Sequence, residues 1–289
     1  MDLIKETKDL GVIAETIRLL TLETLGNLGF GHVGGAMSIV ETLAVLYSGE
    51  LKCDPSNPGW EQRDRLVMSK GHAGPALYAT LALRGYFPKE MLVELNQGGG
   101  RLPSHCDMNK TPGVDMTTGS LGQGISSAIG IALGARLNKA DNTTYLVMGD
   151  GELDEGQVWE GVMFASHHKL GGLIAFVDWN KQQLDGYTED VMKLGNIEDK
   201  FKSFGWQAVT VNGHDPKAIK AAVEAAKAIK DVPSAIILDT KKGYGCNFAE
   251  DVEANHHMNF TKEQMDGAIE VQKKRLEEAK QAANNGKGV

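Results

Sequence analysis

The residues best suited to chemistry follow two apolar segments that have the character of buried strands. Gly-Asp-Gly at 149–151 follows the segment 143–148, and Asn180 comes just after the segment 173–178. Because the carboxyl ends of neighbouring parallel strands meet at one edge of a sheet, we expect the Asp150 carboxylate and the Asn180 amide to lie close together. Such oxygens suit Mg²⁺ or Ca²⁺, and Mg²⁺ commonly completes its shell with phosphate oxygens. The sequence therefore predicts a cation and anion site at this edge.

The elements that must position these residues alternate between strand and helix. Apolar runs predict strands at 65–69, 143–148, 173–178, 207–211 and 234–239. Helices are predicted at 9–25, 38–47 with Ser38 as N-cap, 75–84, 124–138, 154–169, 196–204, 215–230 and 261–283, and residues 284–289 are expected to fray. This alternation predicts an α/β fold, in which helices flank a parallel sheet on both faces.

Composition narrows the classes of function. Of 289 residues, 42% are hydrophobic and 24% are charged, which excludes a disordered chain. The net charge of −8 comes without a basic stripe, so no nucleic-acid partner is expected. No apolar run approaches the ~20 residues that span a membrane, and the first residues are charged, so no membrane partner is expected. Three widely spaced cysteines, Cys53, Cys106 and Cys246, indicate reduced thiols and a cytoplasmic location.

Several segments, taken together, resemble the transketolase family of thiamine-diphosphate enzymes. Residues 149–156 (GDGELDEG) followed by Asn180 are similar to the thiamine-diphosphate motif. Residues 31–35 (GHVGG), 64–72 (DRLVMSKGH) and 117–124 (TTGSLGQG) are similar to further transketolase segments. The resemblance implies a thiamine-diphosphate-binding fold, with a diphosphate-binding domain at 1–260 and a C-terminal helix and flexible tail at 261–289.

The length adds a second implication of the resemblance. A full-length transketolase continues with a pyrimidine-binding domain and a C-terminal domain, whereas this sequence ends after the diphosphate-binding domain. We therefore expect the N-terminal subunit of a split transketolase, active only with a C-terminal subunit that carries the pyrimidine domain and its activating glutamate. Paired active sites in the family imply an α₂β₂ assembly. The implied reaction transfers a two-carbon ketol unit from a ketose, commonly a sugar phosphate, to an aldose.

The resemblance also implies the residues that hold the cofactor. The expected metal ligands are Asp150, Asn180 and the backbone carbonyl of Gln182, around Mg²⁺ or, as substitutes, Ca²⁺ or Mn²⁺. The expected contacts to thiamine diphosphate are His72, Gly119, Leu121, Gly151, Glu155, Asn180, Leu184 and His256. Two of these assignments stay open. His257 is a second candidate beside His256, and Glu155 could simply be an acid favoured in the first turn of a helix.

Three histidines are implied to act in catalysis. His72 corresponds to the histidine that contacts the diphosphate, His32 to one that helps move protons on the sugar hydroxyls, and His105 to one that binds the C1 hydroxyl of the donor. Imidazoles suit these tasks because they donate or accept protons near neutral pH.

Two alternatives to a transketolase subunit remain. One is the α subunit of another thiamine-diphosphate enzyme, such as a 2-oxoacid dehydrogenase, which would lack the segments at 64–72 and 117–124. The other is a non-catalytic assembly subunit that retains the cofactor, which the full set of polar site residues opposes. Val33, Ser120 and Trp179 depart from the family pattern and leave the identity of the sugars open.

Overall fold

The computed structural model describes residues 3–289 and has a parallel sheet at its centre. In chain order, the strands of the described residues are β1 Phe30–Gly31, β2 Arg65–Met68, β3 Thr144–Gly149, β4 Leu173–Trp179, β5 Gln182–Gln183, β6 Gly186–Tyr187, β7 Gln207–Asn212, β8 Ser234–Asp239 and β9 Met258–Asn259. The five longer strands form one parallel sheet in the spatial order β2-β3-β4-β8-β7. Two short antiparallel pairs, β1 with β9 and β5 with β6, complete the strand pairing. The predicted α/β architecture is confirmed.

Helices account for most of the remaining described residues. The α-helices are α1 Leu3–Glu6, α2 Leu10–Gly26, α3 Val33–Met37, α4 Val40–Val45, α5 Gly74–Arg84, α6 Gly124–Leu137, α7 Gly156–His167, α8 Thr188–Val191, α9 Ile197–Ser203, α10 Pro216–Ala228 and α11 Lys262–Asn284. Short 3₁₀ turns lie at Gly71–Ala73, Lys89–Glu94 and Gly151–Asp154, and a π-helical turn at Leu46–Glu50. None of the helices at 3–289 has the length and apolar character needed to cross a bilayer.

The central strands divide their side chains between two hydrophobic cores. Tyr145 and Val147 of β3 pack with residues of α2, α4, α5 and α10, whereas Leu146 and Met148 pack with residues of α6, α7 and α9. Successive side chains of a strand point to opposite faces of its sheet, so helices on both faces require the continuous apolar runs seen in the sequence.

The order of the strands fixes where a ligand can bind. Strands β2, β3 and β4 follow one another across the sheet, but the next strand in space is β8 and the edge strand is β7. Ligands of open α/β sheets bind outside the carboxyl ends of the strands, where the chain order reverses. The segments after β2, β3, β4 and β8 carry Lys70, Asp150, Asn180 and Lys242 at this edge.

One local prediction was wrong. Ser38 does not begin a helix but follows the last residue of α3, and its hydroxyl donates to the Asp178 Oδ2 atom at 2.6 Å. A buried carboxylate binds a hydroxyl more strongly than a helix N–H group would, because the hydrogen bond is charge-assisted. The Val289 carbonyl accepts the free N–H of Leu10 at the start of α2 at 2.8 Å, and the flexibility of the tail stays a prediction. The domain division at residue 260 stays a prediction.

Candidate functional site

The buried centre of the site is the carboxylate of Asp178 in β4. It accepts hydrogen bonds from Ser38 Oγ at 2.6 Å, Thr240 Oγ1 at 2.5 Å and Asn180 Nδ2 at 2.8 Å, and it forms an ion pair with Lys70. Burial opposes ionisation, but the Lys70 charge and the hydrogen bonds outweigh it and lower the pKa of Asp178. Asp178 therefore stays charged, and it fixes the orientation of both Asn180 and Lys70.

Asp150 lies directly after β3 and is only 1% exposed. Its Oδ1 atom accepts the N–H of Gly151 at 2.9 Å, and its Oδ2 atom accepts the N–H of Lys181 at 2.7 Å. Burial, followed by the nearby charge of Asp178, raises the pKa of Asp150 to about 7. A cation at this carboxylate would favour its ionised form, so the electrostatics suit a metal ligand.

Two further oxygens accompany Asp150. Because Asn180 Nδ2 is bound to Asp178, the Asn180 Oδ1 atom points away from that carboxylate, and it accepts the N–H of Gln182 at 3.1 Å. The Gln182 carbonyl accepts Lys242 Nζ at 3.2 Å. No cluster of three or more His, Cys, Asp or Glu side chains within residues 3–289 could hold a metal. The donor set is therefore one carboxylate, one amide and one carbonyl, which suits Mg²⁺ completed by phosphate oxygens rather than zinc.

A cavity of about 150 Å³ opens beside these oxygens. Four basic side chains line it, namely Lys70, His72, Lys242 and His256. Gly149 also lines it, and a Cβ added there would meet no protein atom within 4 Å, so a side chain would occupy the cavity itself. Cationic and imidazole donors around a space left free by glycine suit a polyanion such as a diphosphate.

A larger cavity, of about 610 Å³, lies on the other side of the same loops. It shares Asn180, Gln182 and Lys242 with the smaller one. Its remaining lysines already have carboxylate partners, because Lys181 pairs with Asp239 and Lys241 pairs with Asp251. Lys70 of the smaller cavity has a carboxylate partner too, Asp178, but this cavity adds the imidazoles of His72 and His256, and it is therefore the better anion site despite its size.

Five imidazoles form a cluster that includes His72 and His256, which line the smaller cavity. The ring centroids of His72 and His256 are 4.6 Å apart, and the ring of His32 lies 5.6 Å from His72, 5.2 Å from His105, 5.5 Å from His256 and 4.7 Å from His257. Burial, assisted by neighbouring charges, lowers the pKa of His32 to about 4 and that of His256 to about 3. The same causes lower the pKa of His105 and place that of His72 well below its usual range. These four rings are neutral near pH 7, so each offers one N–H donor and one acceptor nitrogen.

Close backbone approaches hold the histidines in place. A Cβ at Gly35 would lie 2.8 Å from the ring of His72, so only glycine allows this contact. Gly119 adopts a φ of 143°, and a Cβ there would lie 3.2 Å from the ring of His105. Residues of the glycine-rich segments therefore position the imidazoles by leaving room for them.

The structure brings most of the sequence-predicted ligands together. One cavity is lined by His72, Leu121, Asp150, Gly151, Asn180, Gln182, Leu184 and His256. His32, His105 and Gly119 do not line it but join it through contacts, since His32 contacts the ring of His72, His105 contacts His32, and Gly119 lies against His105. Glu155 lies apart from the cavity, exposed and next to Gly122.

Sequence reasoning missed four polar residues of the site, namely Lys70, Glu152, Asp178 and Lys242. Glu152 accepts the N–H groups of Gly122 at 2.9 Å and Gly149 at 3.2 Å, which ties two loops together. Each missed residue is a charged side chain within three residues of the end of a strand, and that position is the signal that could have identified it.

Comparisons with known proteins bear on this geometry. The family model described as "Transketolase, thiamine diphosphate binding domain" matches residues 11–276. The 6-deoxy-6-sulfo-D-fructose transketolase subunit SqwG of Clostridium sp. (strain MSTE9) is 54% identical over 90% of this chain and 95% of its own length. An apulose-4-phosphate transketolase subunit of Phocaeicola vulgatus is 35% identical over 98% of this chain and all of its own length.

Solved transketolase structures also match this chain, but the match covers a smaller share of each solved chain. A crystal structure of a Pichia stipitis transketolase variant in complex with xylulose 5-phosphate matches with a TM-score of 0.85 and 31% identity over 94% of this chain. The matched part is only 44% of that transketolase chain. The chain thus spans the whole of the subunit-type relatives but less than half of the solved enzyme.

Proposed function

The chain belongs to the transketolase family, as the sequence predicted, and we propose that it is the diphosphate- and Mg²⁺-binding subunit of a two-subunit transketolase. The complete enzyme would transfer a two-carbon ketol unit from a ketose donor to an aldose acceptor. The observation that carries this proposal is a single cavity lined by four basic side chains and by the Asp150 carboxylate, a candidate metal ligand. The four basic side chains are those of Lys70, Lys242, His72 and His256. A cation and a polyanion are the two ligands for which this arrangement is suited.

The chain's own residues would share the binding of the cofactor. Mg²⁺ would be held by Asp150, Asn180 and the Gln182 carbonyl. The diphosphate of thiamine diphosphate would be bound by the four basic side chains that line the cavity. Gly151, Gly119, Leu121 and Leu184 would contact the rest of the cofactor. When bound, thiamine diphosphate supplies an electron sink for the bond that breaks in the donor.

The histidines of the cluster would bind the sugar and exchange protons with it. His105 would hold the C1 hydroxyl of the donor, and His32 and His72 would orient the substrate and exchange protons with its hydroxyls. Their low pKa values favour this role, because a neutral imidazole can accept a proton at one nitrogen and donate one at the other. A charged imidazolium could only donate.

A C-terminal subunit with the pyrimidine domain would cover the open side of the cavity and supply the activating glutamate. Exposed apolar side chains at and near this cavity support such a partner. Leu184, which lines the cavity, is 66% exposed, and nearby Tyr187 and Met192 are also exposed. Apolar surface at the rim of a polar cavity is typical of a protein interface.

A second copy of the chain would complete an α₂β₂ assembly. Leu137 of α6, and Met163 and Phe164 of α7, are exposed large hydrophobic residues. The glycines Gly130 and Gly134 leave open space on the surface of α6, where another helix could approach closely. Glu155 precedes α7 and would lie near this interface. The proposal also includes a cytoplasmic location for the protein.

The donor is proposed to be a ketose that ends in an anionic group. The 54% identical relative is named for 6-deoxy-6-sulfo-D-fructose, which favours a sulfonate over a phosphate at that end. The rest of the active site, including contacts to the anionic group, would come from the partner subunit.

The test reconstitutes the chain with its C-terminal partner, thiamine diphosphate and Mg²⁺. Release of the shortened aldose is measured with 6-deoxy-6-sulfofructose, fructose 6-phosphate and xylulose 5-phosphate as donors, for the mixture and for each chain alone. Activity only in the mixture supports the proposal, and the fastest donor identifies the anionic group. Binding of the cofactor without turnover of any donor would instead favour a non-catalytic subunit, and activity of this chain alone would contradict the need for a partner.

A further inference from the structure

Resting on the proposed function, we propose that His257 is a specificity residue that binds, together with His32, the hydroxyls of the ketose chain beyond the ketol unit. This assigns to His257 a role in sugar binding and leaves the cofactor to His256. The inference comes from the pairing of two short strands, a ring contact and the lack of side-chain hydrogen bonds from both imidazoles within residues 3–289.

The pairing of β1 with β9 brings His257 close to His32. In the antiparallel pair of β1 and β9, Phe30 lies opposite Asn259 and Gly31 lies opposite Met258. The ladder ends there; His32 directly follows Gly31 and His257 directly precedes Met258, so the two histidines flank the same end of the pair. Strand pairing brings the side chains of opposing segments close together, so this short ladder holds the two histidines near each other.

The side chains confirm the pairing that the backbone suggests. The centroid of the His257 ring lies 4.7 Å from that of His32, which is the shortest of the ring contacts that His32 makes, and the two planes are inclined by 77°. His257 is exposed, and its only other ring contact in the described residues is with Phe30 at 5.8 Å. His257 therefore lies on the outer side of His32, away from the cavity.

His256 and His257 face different surroundings although they are adjacent in the chain. His256 lines the cavity, and its Nδ1 atom is 3.4 Å from Lys242 Nζ. His257 is absent from the lining of that cavity and contacts His32 instead. The chain bends at these two residues, just before β9, and their rings diverge there.

The chemistry of the pair suits a polyol. Within the part of the chain that the structure describes, neither His32 nor His257 forms a side-chain hydrogen bond with the protein, so their ring nitrogens are available to a ligand. An imidazole can exchange hydrogen bonds with a hydroxyl in both directions. A ketose whose ketol end lies in the cavity would place its remaining hydroxyls toward the solvent-exposed side of the histidine cluster, where His257 lies.

The experiment uses the reconstituted two-subunit enzyme and compares a long donor with a short one. The long donor is the ketose that the wild-type complex cleaves fastest, and the short donor is hydroxypyruvate, which carries the same ketol unit and no hydroxyl beyond it. We expect His257→Phe to raise the KM for the ketose about 3- to 10-fold more than the KM for hydroxypyruvate, which corresponds to the loss of one neutral hydrogen bond. His257→Gln, which keeps a donor and an acceptor, should restore most of the loss.

His256→Phe provides the matched control at the adjacent position. It should weaken the binding of thiamine diphosphate, measured by calorimetry, whereas His257→Phe should weaken it far less. A His257→Phe enzyme with equal changes for both donors, or with the weakened cofactor binding of the His256 variant, would overturn the assignment. These outcomes are distinct from failure of the proposed function, which would appear as a wild-type complex that transfers no ketol unit from any donor.

Discussion

Two fully buried ion pairs in this protein use the same chemistry for different purposes. In the helical layer, Arg18 of α2 pairs with Glu41 of α4, donates to the carbonyls of Met37 at 3.1 Å and Tyr244 at 3.0 Å, and lies over the Tyr244 ring. His214 extends this network, stacked on Tyr244 with ring centroids 3.7 Å apart. At the strand ends, Lys70 pairs with Asp178. The first network joins two helices to a loop, and none of its members belongs to the proposed ligand set.

The pair at the strand ends is built differently. Asp178 has three further hydrogen-bond donors besides Lys70, and both Lys70 and Asn180 line the cavity. Arg18 is the main charged partner of Glu41, so its loss would leave a buried carboxylate with little compensation. Asp178 would retain three donors after the loss of Lys70. We infer that the helical pair serves stability, whereas the pair at the site serves ligand binding.

Arg18→Met should have the largest effect on stability. It leaves Glu41 buried without its cation, which costs about 3–5 kcal/mol in the free energy of unfolding. Denaturant unfolding followed by circular dichroism measures this loss. The double variant Arg18→Met, Glu41→Gln removes both charges and should recover part of the stability. Equal losses in the single and double variants would show that packing, rather than the unpaired charge, dominates.

Lys70→Met should instead act mainly on cofactor affinity. It removes a buried cation from the cavity, so the Kd for thiamine diphosphate in the presence of Mg²⁺ should rise about 10- to 100-fold, the value of a charge-assisted hydrogen bond. Its cost in unfolding free energy should be smaller than that of Arg18→Met. Calorimetric titration measures the affinity, and Lys193→Met, at an exposed lysine, serves as the matched control. Unchanged affinity together with a large loss of stability would erase the distinction between the two pairs.

The neutral histidines of the site predict a loss of stability in acid. The ring of His32 takes up a proton near pH 6.5 in the unfolded chain but only near pH 4 in the folded one, because burial and its neighbours lower its pKa to about 4. The unfolded state therefore binds more protons as the pH falls from about 6.5 to about 4, and stability falls with it. His32→Gln should remove about 1–2 kcal/mol of this loss, a value reduced because the ring is partly exposed. Parallel pH profiles of unfolding for the two proteins would contradict the neutral, buried imidazole.

Ser38→Ala should have the smallest effect. It removes one of the donors to Asp178 and leaves Lys70, Asn180 and Thr240 in place, so the loss in unfolding free energy should be about 1 kcal/mol. Cofactor affinity should change less than in Lys70→Met, because the hydroxyl does not line the cavity. Thermal unfolding and the same titration measure both. A Ser38 variant as damaged as the Lys70 variant would show that the donors of Asp178 act as one cooperative unit.

The sequence alone was sufficient to predict the sheet, its flanking helices and the residues that follow its strands. Buried parallel strands require continuous apolar runs, and a glycine-rich turn with an acid after such a run marks a ligand-binding edge, so Asp150 and Asn180 could be recognised from local patterns. The resemblance to transketolases then supplied the cofactor and the histidines. The roles assigned to those histidines and to Glu155 stay predictions.

Only the tertiary structure decided how these residues are held. The partners of Asp178 come from segments next to α3, β2, β4 and β8 and lie up to 140 residues from Asp178 in the chain, and no local periodicity encodes such contacts. For the same reason the prediction of a helix cap at Ser38 was wrong, and Lys242 was missed. The pairing of His32 with His257 depends on a two-residue ladder between distant segments, too short to leave a strand pattern in the sequence. Residues that could do chemistry were therefore recognisable from local patterns in the sequence. The long-range contacts that orient these residues are defined only by the tertiary structure.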